Sequence, residues 1–207
     1  PAGQIRSKEI TIRSISVPLY WWADTTVPYW YKGKALPSAD SQISVIALPS
    51  TKDFNRLSYR WQFNGSAVPQ SSGLNRQTFS FNMDFPVRER IDITVKDNAG
   101  SFEKTAFTLI APTAPRVDIY EVRPLRGAVY ERGLSEFSAP VGDKYDFLAV
   151  PFFFPREREH SLRYRWHLNG NEITGAFDQP RLFTLESQSG EPSLNQLDVN
   201  AEDPTQN

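Results

Sequence analysis

Two histidines, His160 and His167, are the only ones in the 207 residues. A serine–histidine triad or a histidine-ligated metal site would have to use one of them. Glu157 and Glu159 stand just before His160, and these side chains together could form an acid–base or metal site. Alternating charges ahead of a strand are more typical of a solvated loop, and His167 falls on the polar side of its strand. We therefore predict no catalytic residue and no metal site at these positions.

The rest of the sequence offers no reactive group in a recognised arrangement. The chain contains no cysteine, which excludes disulfides, thiolate zinc sites and cysteine nucleophiles. Residues 97–100 (DNAG) lack the spaced oxygen ligands of a calcium loop, and a turn with a positive-φ glycine explains them. A glycosidase could use two carboxylates without a motif, but domains of about 100 residues leave little room for its cleft. We therefore predict no enzyme activity and no cofactor.

Aromatic residues are the most conspicuous side chains near the start of the chain. Six of them lie within twelve positions: Tyr20, Trp21, Trp22, Tyr29, Trp30 and Tyr31. Rigid aromatic side chains can stack on sugar rings or form the hot spot of a protein interface. They can equally close the end of a β-sandwich or pack against a second domain, and the sequence leaves both interpretations open.

A second aromatic group lies between two prolines in the later part of the chain. It consists of Phe152, Phe153 and Phe154. This group could be a contact patch between subunits. It could also be a bulged strand end that folds onto the core or onto a linker, and neither interpretation is favoured by the sequence.

The charge balance limits the classes of partner. The chain has 23 basic and 24 acidic residues and a net charge of −1. This balance argues against nucleic acid, which requires a concentrated positive field, and against a polybasic membrane patch. No window approaches 18 consecutive apolar residues, so the sequence predicts no transmembrane helix.

The sequence repeats itself at an interval of about 105 residues. Residues 59–65 (YRWQFNG) return as residues 164–170 (YRWHLNG). Other landmarks return in the same order, which predicts two copies of one domain rather than a chance match. Two prolines in the segment 110–116 predict a short, stiff linker. We therefore expect a first domain over residues 1–112 and a second over residues 113–207.

Each copy shows the period-two alternation of an antiparallel strand with one buried face. In the first copy Tyr59, Trp61 and Phe63 alternate with polar residues, and Trp166 takes the place of Trp61 in the second. Each run ends in Asn-Gly, a strong signal for a β-hairpin. We expect an all-β fold of two tandem immunoglobulin-like antiparallel β-sandwiches, with Trp61 and Trp166 in their cores.

These patterns resemble a known family. The Tyr-Arg-Trp-x-x-Asn-Gly run and the later strand and corner at residues 91–101 (IDITVKDNAGS) resemble motifs of PKD-like and related Ig-like modules. The second copy keeps the later motif in degraded form at residues 197–203 (LDVNAED). The resemblance implies a module of bacterial cell-surface proteins, pilus- or envelope-associated ones among them. It also implies an extracellular, non-catalytic role in spacing or adhesion.

The second copy stops before the equivalent of the last strand of the first copy. The first copy continues through residues 102–110, where Phe107 and Leu109 supply the apolar positions that a last strand requires. The second copy reaches the equivalent corner and ends there, at Asn207. We expect the missing strand to follow in a longer native chain, to come from another chain, or to be absent from a shorter domain. A membrane anchor is expected only if the full-length chain continues beyond Asn207.

The sequence thus predicts a non-catalytic, extracellular structural or adhesive module of a surface protein or surface assembly. A protein partner or self-assembly is the expected mode of action, through the aromatic segment at residues 20–31, through Phe152–Phe154, or through the open edge at residues 197–201. The alternative is a carbohydrate-binding β-sandwich with a glycan partner on Trp21, Trp22 and Trp30.

Overall fold

The structure is a computed structural model of the chain. It describes residues 8–10, 14–51, 56–98, 102–138, 142–174, 179–186 and 194–204. Regular structure in these residues consists of β-strands and short 3₁₀ helices. No helix in these ranges is long and apolar enough to span a membrane.

The first repeat contributes eight strands to two sheets. They are β1 (Leu19–Ala23), β2 (Gln42–Ala47), β3 (Leu57–Phe63), β4 (Ser66–Ala67), β5 (Gly73–Leu74), β6 (Thr78–Asn82), β7 (Glu89–Asp97) and β8 (Glu103–Ile110). One sheet has the order β1-β2-β6, and the other has the order β4-β3-β7-β8 with β5 also beside β3. Trp61 on β3 lies opposite Ile93 on β7, and both are fully buried.

The second repeat contributes seven strands to two further sheets. They are β9 (Arg116–Arg123), β10 (Gly127–Ala128), β11 (Lys144–Phe152), β12 (Arg163–Leu168), β13 (Asn171–Glu172), β14 (Leu182–Glu186) and β15 (Leu197–Glu202). One sheet has the order β10-β9-β11-β14, and the other has the order β13-β12-β15. Trp166 on β12 lies opposite Val199 on β15 and packs with Phe147 and Phe183 of the other sheet.

The two repeats share hydrogen bonds at equivalent positions. The indole Nε1 of Trp61 donates to the carbonyl of Arg76 at 2.9 Å, and that of Trp166 donates to the carbonyl of Pro180 at 3.0 Å. The asparagine of each predicted Asn-Gly turn has positive φ, 48° at Asn64 and 52° at Asn169, as a type I′ turn requires. The predicted fold of two antiparallel β-sandwiches is confirmed.

The chain also divides into two compact units that are not continuous in sequence. The first comprises Pro1–Trp21, Val45–Phe79 and Arg90–Leu109, and the second comprises Trp22–Ser44, Ser80–Glu89 and Ile110–Asn207. The second unit thus includes parts of the first repeat as well as all of residues 113–207. The domain boundary at residue 112 stays a prediction.

The last strand of the first repeat, β8, carries two large apolar residues on its outer face. Phe107 and Leu109 lie on the exposed face of β8, with 56% and 46% of their surface accessible. Their neighbours Ala106 and Thr108 are the more buried residues. Arg90 covers part of the Phe107 ring, because its guanidinium carbon lies 4.2 Å from the ring centroid. Phe107 and Leu109 therefore do not mark the inner face of this strand, whereas Ile110 at its end is buried.

Candidate functional site

The sheet that contains β9 and β11 is buried on both faces. Phe147 and Ala149 point into the sandwich core with Trp166. On the opposite face, Tyr120 and Phe152 belong to a separate apolar cluster. A strand with apolar residues on both faces is typical of sheets that are covered on both sides. Another part of the same unit must therefore cover this second face.

The covering side chains come from the aromatic segment near the start of the chain. Trp30 stacks on Tyr130 with ring centroids 4.8 Å apart, and its edge contacts extend to Tyr120 at 5.4 Å and Phe152 at 6.0 Å. Tyr31 meets the edge of Phe152 at 5.5 Å. Such aromatic pairs contribute about 0.5–1.5 kcal/mol each beyond their buried area. We call Trp30, Tyr31, Tyr120, Tyr130, Phe152 and Phe153 the aromatic cluster.

Backbone hydrogen bonds attach this segment to the end of β11. The amide of Thr26 donates to the carbonyl of Phe154, and the amide of Phe153 donates to the carbonyl of Thr26, both at 2.7 Å. Thr25 forms an isolated antiparallel bridge with Pro155. Phe153 adopts a positive φ of 65°, which is uncommon for an aromatic residue and turns the chain at the strand end. The three phenylalanines are therefore held inside the unit.

Ion pairs reinforce the attachment. Residues Arg156–Ser161 form a 3₁₀ helix rather than the expected solvated loop. Its Arg158 bonds Asp203 at 2.8 Å and Asp40 at 3.3 Å, and Arg156 bonds Asp24 at 2.8 Å. Burial acts to lower the pKa of Arg158, but the hydrogen bond and charge of Asp203, with those of Asp40, outweigh it and raise the pKa. The arginine is therefore a permanently charged link.

The residues that could have formed an acid–base or metal site do not converge. Glu159 accepts a hydrogen bond from the hydroxyl of Thr26 at 3.3 Å, and His160 is exposed. Within the described ranges, no group of three or more histidine, cysteine, aspartate or glutamate side chains is placed to hold a metal ion. His167 is half-buried rather than at the surface, and its Nδ1 has no hydrogen-bond partner among the described residues.

The predicted contact residues separate into two groups by exposure. Tyr20, Trp22 and Tyr29 expose 57%, 50% and 91% of their surface. Trp21, Trp30 and Tyr31 are half-buried, and Phe152, Phe153 and Phe154 are buried. Trp61 and Trp166 have no exposed surface. A partner contact at any of these positions stays a prediction, and only the first group presents its rings to solvent.

The exposed rings on β1 lie on one side of an edge strand. Tyr20 and Trp22 alternate with the more buried Trp21 and Ala23, and β1 is the outer strand of its sheet. Residues two apart on a strand are about 7 Å apart and share a face. This face is available to a flat apolar partner. Tyr29 differs, because its ring also meets the edge of Tyr130 at 6.3 Å.

A second open feature is the edge of β15. This strand pairs with β12 on one side, and no strand of the described chain pairs with it on the other. A groove of about 400 Å³ runs beside it, with Val117, Ile119 and Leu134 among its lining residues. A second groove of about 570 Å³ lies near the end of the strand, where Arg163 and Arg165 contribute to the wall.

Sequence reasoning did not single out three members of this arrangement. Tyr120 and Tyr130 complete the aromatic cluster, and the guanidinium carbon of Arg116 lies 4.7 Å from the ring centroid of Phe152. Alternation in β9 places Tyr120 on the face opposite Val117 and Ile119, a signal that the sequence does carry. No local pattern in the sequence indicates that Trp30 packs against this face.

No protein-family model matches the chain, and no curated protein matches it. Among solved structures, it is similar to the fibronectin(III)-like modules of Clostridium thermocellum CbhA, with 11% identity, a TM-score of 0.34, and coverage of 92% of this chain and 86% of that one. It is also similar to Bacteroides ovatus SGBP-B of a mixed-linkage glucan utilization locus, in complex with a mixed-linkage heptasaccharide. That likeness has 14% identity, a TM-score of 0.30, and coverage of 96% of this chain and 46% of the other. At these TM-scores the likenesses carry no weight, and the β-sandwich assignment rests on the strand pairing above.

Proposed function

We propose that the chain is a non-catalytic structural or adhesive module of an exported, surface-associated bacterial protein, and that it acts through protein–protein contacts. One observation supports this proposal most directly. Most of the conspicuous aromatic residues are used in packing, whereas Tyr20 and Trp22 on the edge strand β1 keep half or more of their surface in solvent. Exposed apolar side chains on an edge strand favour association with another protein.

Burial of these two rings would contribute favourably to the free energy of a contact. Burial of the exposed half of a tryptophan or tyrosine side chain contributes about 2 kcal/mol. Tryptophan and tyrosine also dominate the hot spots of protein interfaces. The region of the second repeat that matches this segment, residues 125–130 (LRGAVY), lacks most of the aromatic residues, so the fold itself does not require them.

Sedimentation equilibrium over a wide concentration range tests the proposal in its self-assembly form. We expect the wild-type chain to associate and Trp22→Ser to weaken association at least about tenfold. Leu125→Ser is the matched control, because Leu125 is fully exposed elsewhere and should leave association unchanged. A chain that stays monomeric throughout, or an equal effect of both substitutions, would overturn this form of the proposal.

A carbohydrate-binding function is the second candidate, and the spacing of Tyr20 and Trp22 on one strand face favours it. Two aromatic rings about 7 Å apart on a flat face can stack against neighbouring sugar units. A glycan array is the test. A signal that Trp22→Ala abolishes, in a chain with unchanged circular dichroism, would replace the protein-contact proposal. An array without signal would exclude the glycans on it and leave the first candidate in place.

A further inference from the structure

We infer that the protein partner is a second copy of this chain, which packs the outer face of its β1-β2-β6 sheet against the same face of the first copy. The inference rests on the proposed function, because it takes protein contacts through β1 as given and names the partner. Alternate residues of the three strands are the more buried ones, so the residues between them point outward. We call this outward surface of β1, β2 and β6 the neutral face.

One row of side chains crosses the middle of the neutral face. Backbone hydrogen bonds join the amides of Leu48 and Asp24 to the carbonyls of Pro18 and Gln42, at 3.0 and 2.8 Å. In this antiparallel register, Trp22 of β1 lies opposite Ser44 of β2. On the other side of β2, the hydroxyl oxygens of Ser44 and Ser80 are 2.9 Å apart. Ser44 is therefore the central residue of the face.

The three strands carry no formal charge at neutral pH, with the sequences LYWWA, QISVIA and TFSFN. Their outward residues include the rings of Tyr20 and Trp22, the apolar side chain of Ile46 and the hydroxyls of Ser44 and Ser80. A charged group of a partner, placed over this face, would lose its hydration and find no opposite charge. The surface that fits against the neutral face is therefore itself uncharged.

The outer faces of the other sheets in the described chain are charged or covered. Arg60 and Arg90 point outward from β3 and β7, and Arg165 and Asp198 point outward from β12 and β15. The aromatic cluster covers the outer face of β9 and β11. Among the described sheets, a second copy thus offers one outer face that is both uncharged and open, and it is the same face. Contact between identical patches is isologous and closes as a dimer with two-fold symmetry.

The position of the aromatic rings favours one direction of the two-fold axis. An axis that runs across the strands, along the row through Ser44, places β1 of one copy on β1 of the other. The rings of Tyr20 and Trp22 from both copies then pack together, which buries apolar surface on apolar surface. An axis along β2 would instead set the rings over the hydroxyls of β6. The first arrangement also brings Ser44 and Ser80 each close to its own counterpart.

The area of the neutral face predicts weak association. Three strands about 4.8 Å apart and about 17–20 Å long present a flat area of about 300 Å² per copy. Stable interfaces bury about 800 Å² per partner, so we expect a reversible dimer that forms at high concentration. Weak contacts suit a structural or adhesive module, because many copies held near one another gain avidity.

Charge-swapped variants of the full chain test the inference. Ser44→Lys and Ser44→Asp each place like charges opposite one another across the axis, so each variant alone should self-associate at least about tenfold more weakly than wild type. An equimolar mixture of the two places lysine opposite aspartate and should associate at least about tenfold more tightly than either variant alone. This gain should shrink at high salt. Sedimentation velocity over a wide concentration range measures all of these samples.

Ser58 provides the matched control, because it is a half-buried, outward serine on β3 in the other sheet of the first repeat. Ser58→Asp should associate like wild type, and its mixture with Ser44→Lys should show no gain. A mixture of the two Ser44 variants that is no tighter than either alone would overturn the inference. An equal gain from Ser58→Asp would also overturn it, because the attraction would then not depend on the neutral face.

A second pair of variants covers the case in which a charge at the half-buried Ser44 prevents folding, which circular dichroism detects. Ser80 is exposed, so Ser80→Lys and Ser80→Asp leave room for the new side chain. Each alone should weaken association, and their mixture should restore it. No gain from this mixture would overturn the inference in the same way.

The inference and the proposed function can fail separately. If wild type associates and Trp22→Ser weakens it, while neither mixture shows a gain, protein contacts through β1 stand and the symmetric dimer does not. A wild-type chain that stays monomeric but binds a different protein through Trp22 would likewise overturn only the inference.

Discussion

The two repeats keep the same buried frame and differ at the sheet edge. Asn64 and Asn169 each bond the strand opposite through the same pair of contacts, with the amide donating to the carbonyls of Arg90 and Gln196. The side-chain oxygens of the same asparagines accept from the amides of Arg90 and Gln196. In contrast, β7 is flanked on both sides and β15 on one, among the strands of the described chain. The tryptophan-centred frame is therefore alike in the two repeats, whereas the described strands beside β7 and β15 differ.

The repeats also differ in how their outer surfaces are used. In the second unit, the outer face of β9 and β11 is covered by Trp30 and Tyr31. In the first repeat, the equivalent sheet is β1-β2-β6, and Tyr20 and Trp22 on its outer strand β1 keep 57% and 50% of their surface exposed. An additional apolar layer therefore covers this sheet in the second repeat.

The largest expected effect comes from the two core tryptophans. Trp61→Ala and Trp166→Ala should each lower the free energy of unfolding by about 3–5 kcal/mol, because each leaves a large cavity. Urea denaturation followed by near-UV circular dichroism measures this loss. Leu125→Ala, at a fully exposed position, is the control and should change the free energy by less than about 0.5 kcal/mol. If only one core substitution were costly, the two frames would not be equivalent.

Removal of a ring from the aromatic cluster should have the next largest effect. Trp30→Ala should cost about 2–3 kcal/mol, since Trp30 is half-buried and contacts three rings. A double-mutant cycle with Tyr130→Ala should show a coupling of about 0.5–1.5 kcal/mol. Leu125→Ala, at a fully exposed position, is the control. Additive effects of Trp30→Ala and Tyr130→Ala would contradict the stacked pair.

A smaller effect is expected at the link formed by Arg158. Arg158→Ala should cost about 1–3 kcal/mol, because it leaves the nearly buried carboxylate of Asp203 without this partner. Arg123→Ala, which breaks the more exposed pair with Glu121, should cost less than about 1 kcal/mol. Thermal unfolding of both variants measures the difference. Equal losses of stability in the two variants would show that burial of the Asp203 carboxylate does not strengthen its ion pair with Arg158.

The smallest effect concerns pH. Burial raises the pKa of Tyr59 and of Tyr164, which hold equivalent positions in β3 and β12. A raised folded-state pKa contributes stability that is complete below the unfolded value of about 10 and is lost as the pH rises through the folded value. Alkaline titration followed by tryptophan fluorescence should therefore show unfolding that Tyr59→Phe and Tyr164→Phe both reduce. If one substitution had no influence on this titration, burial of the two tyrosines would have different consequences.

Much of the frame could be predicted from the sequence because its signals are local. The alternation around Trp61 and Trp166 predicts strands with one buried face, and each Asn-Gly pair predicts its turn. Alternation alone did not predict the inner face of β8, because Phe107 and Leu109 are the more apolar residues and nevertheless point outward. On the outer face, Phe107 packs against the guanidinium of Arg90.

The rest of the arrangement depends on residues far apart in the chain. Trp30 stacks on Tyr130, which lies far away in the sequence, and no local sequence pattern predicts this contact. Arg158 likewise bonds both Asp40 and Asp203. The aromatic segment at residues 20–31 could be identified from the sequence, but the rings that become buried in the structure could not. That outcome depends on long-range packing on the outer face of β9 and β11, which also buries Phe152.

The coverage of β11 on both faces has a mechanical consequence. A force that pulled this strand out of its sheet would have to separate Phe147 from Trp166 and Phe152 from Trp30 in the same event. It would also have to break the hydrogen bonds that join Phe153 and Phe154 to Thr26. Because these contacts would have to separate together, we expect the end of β11 to resist tension.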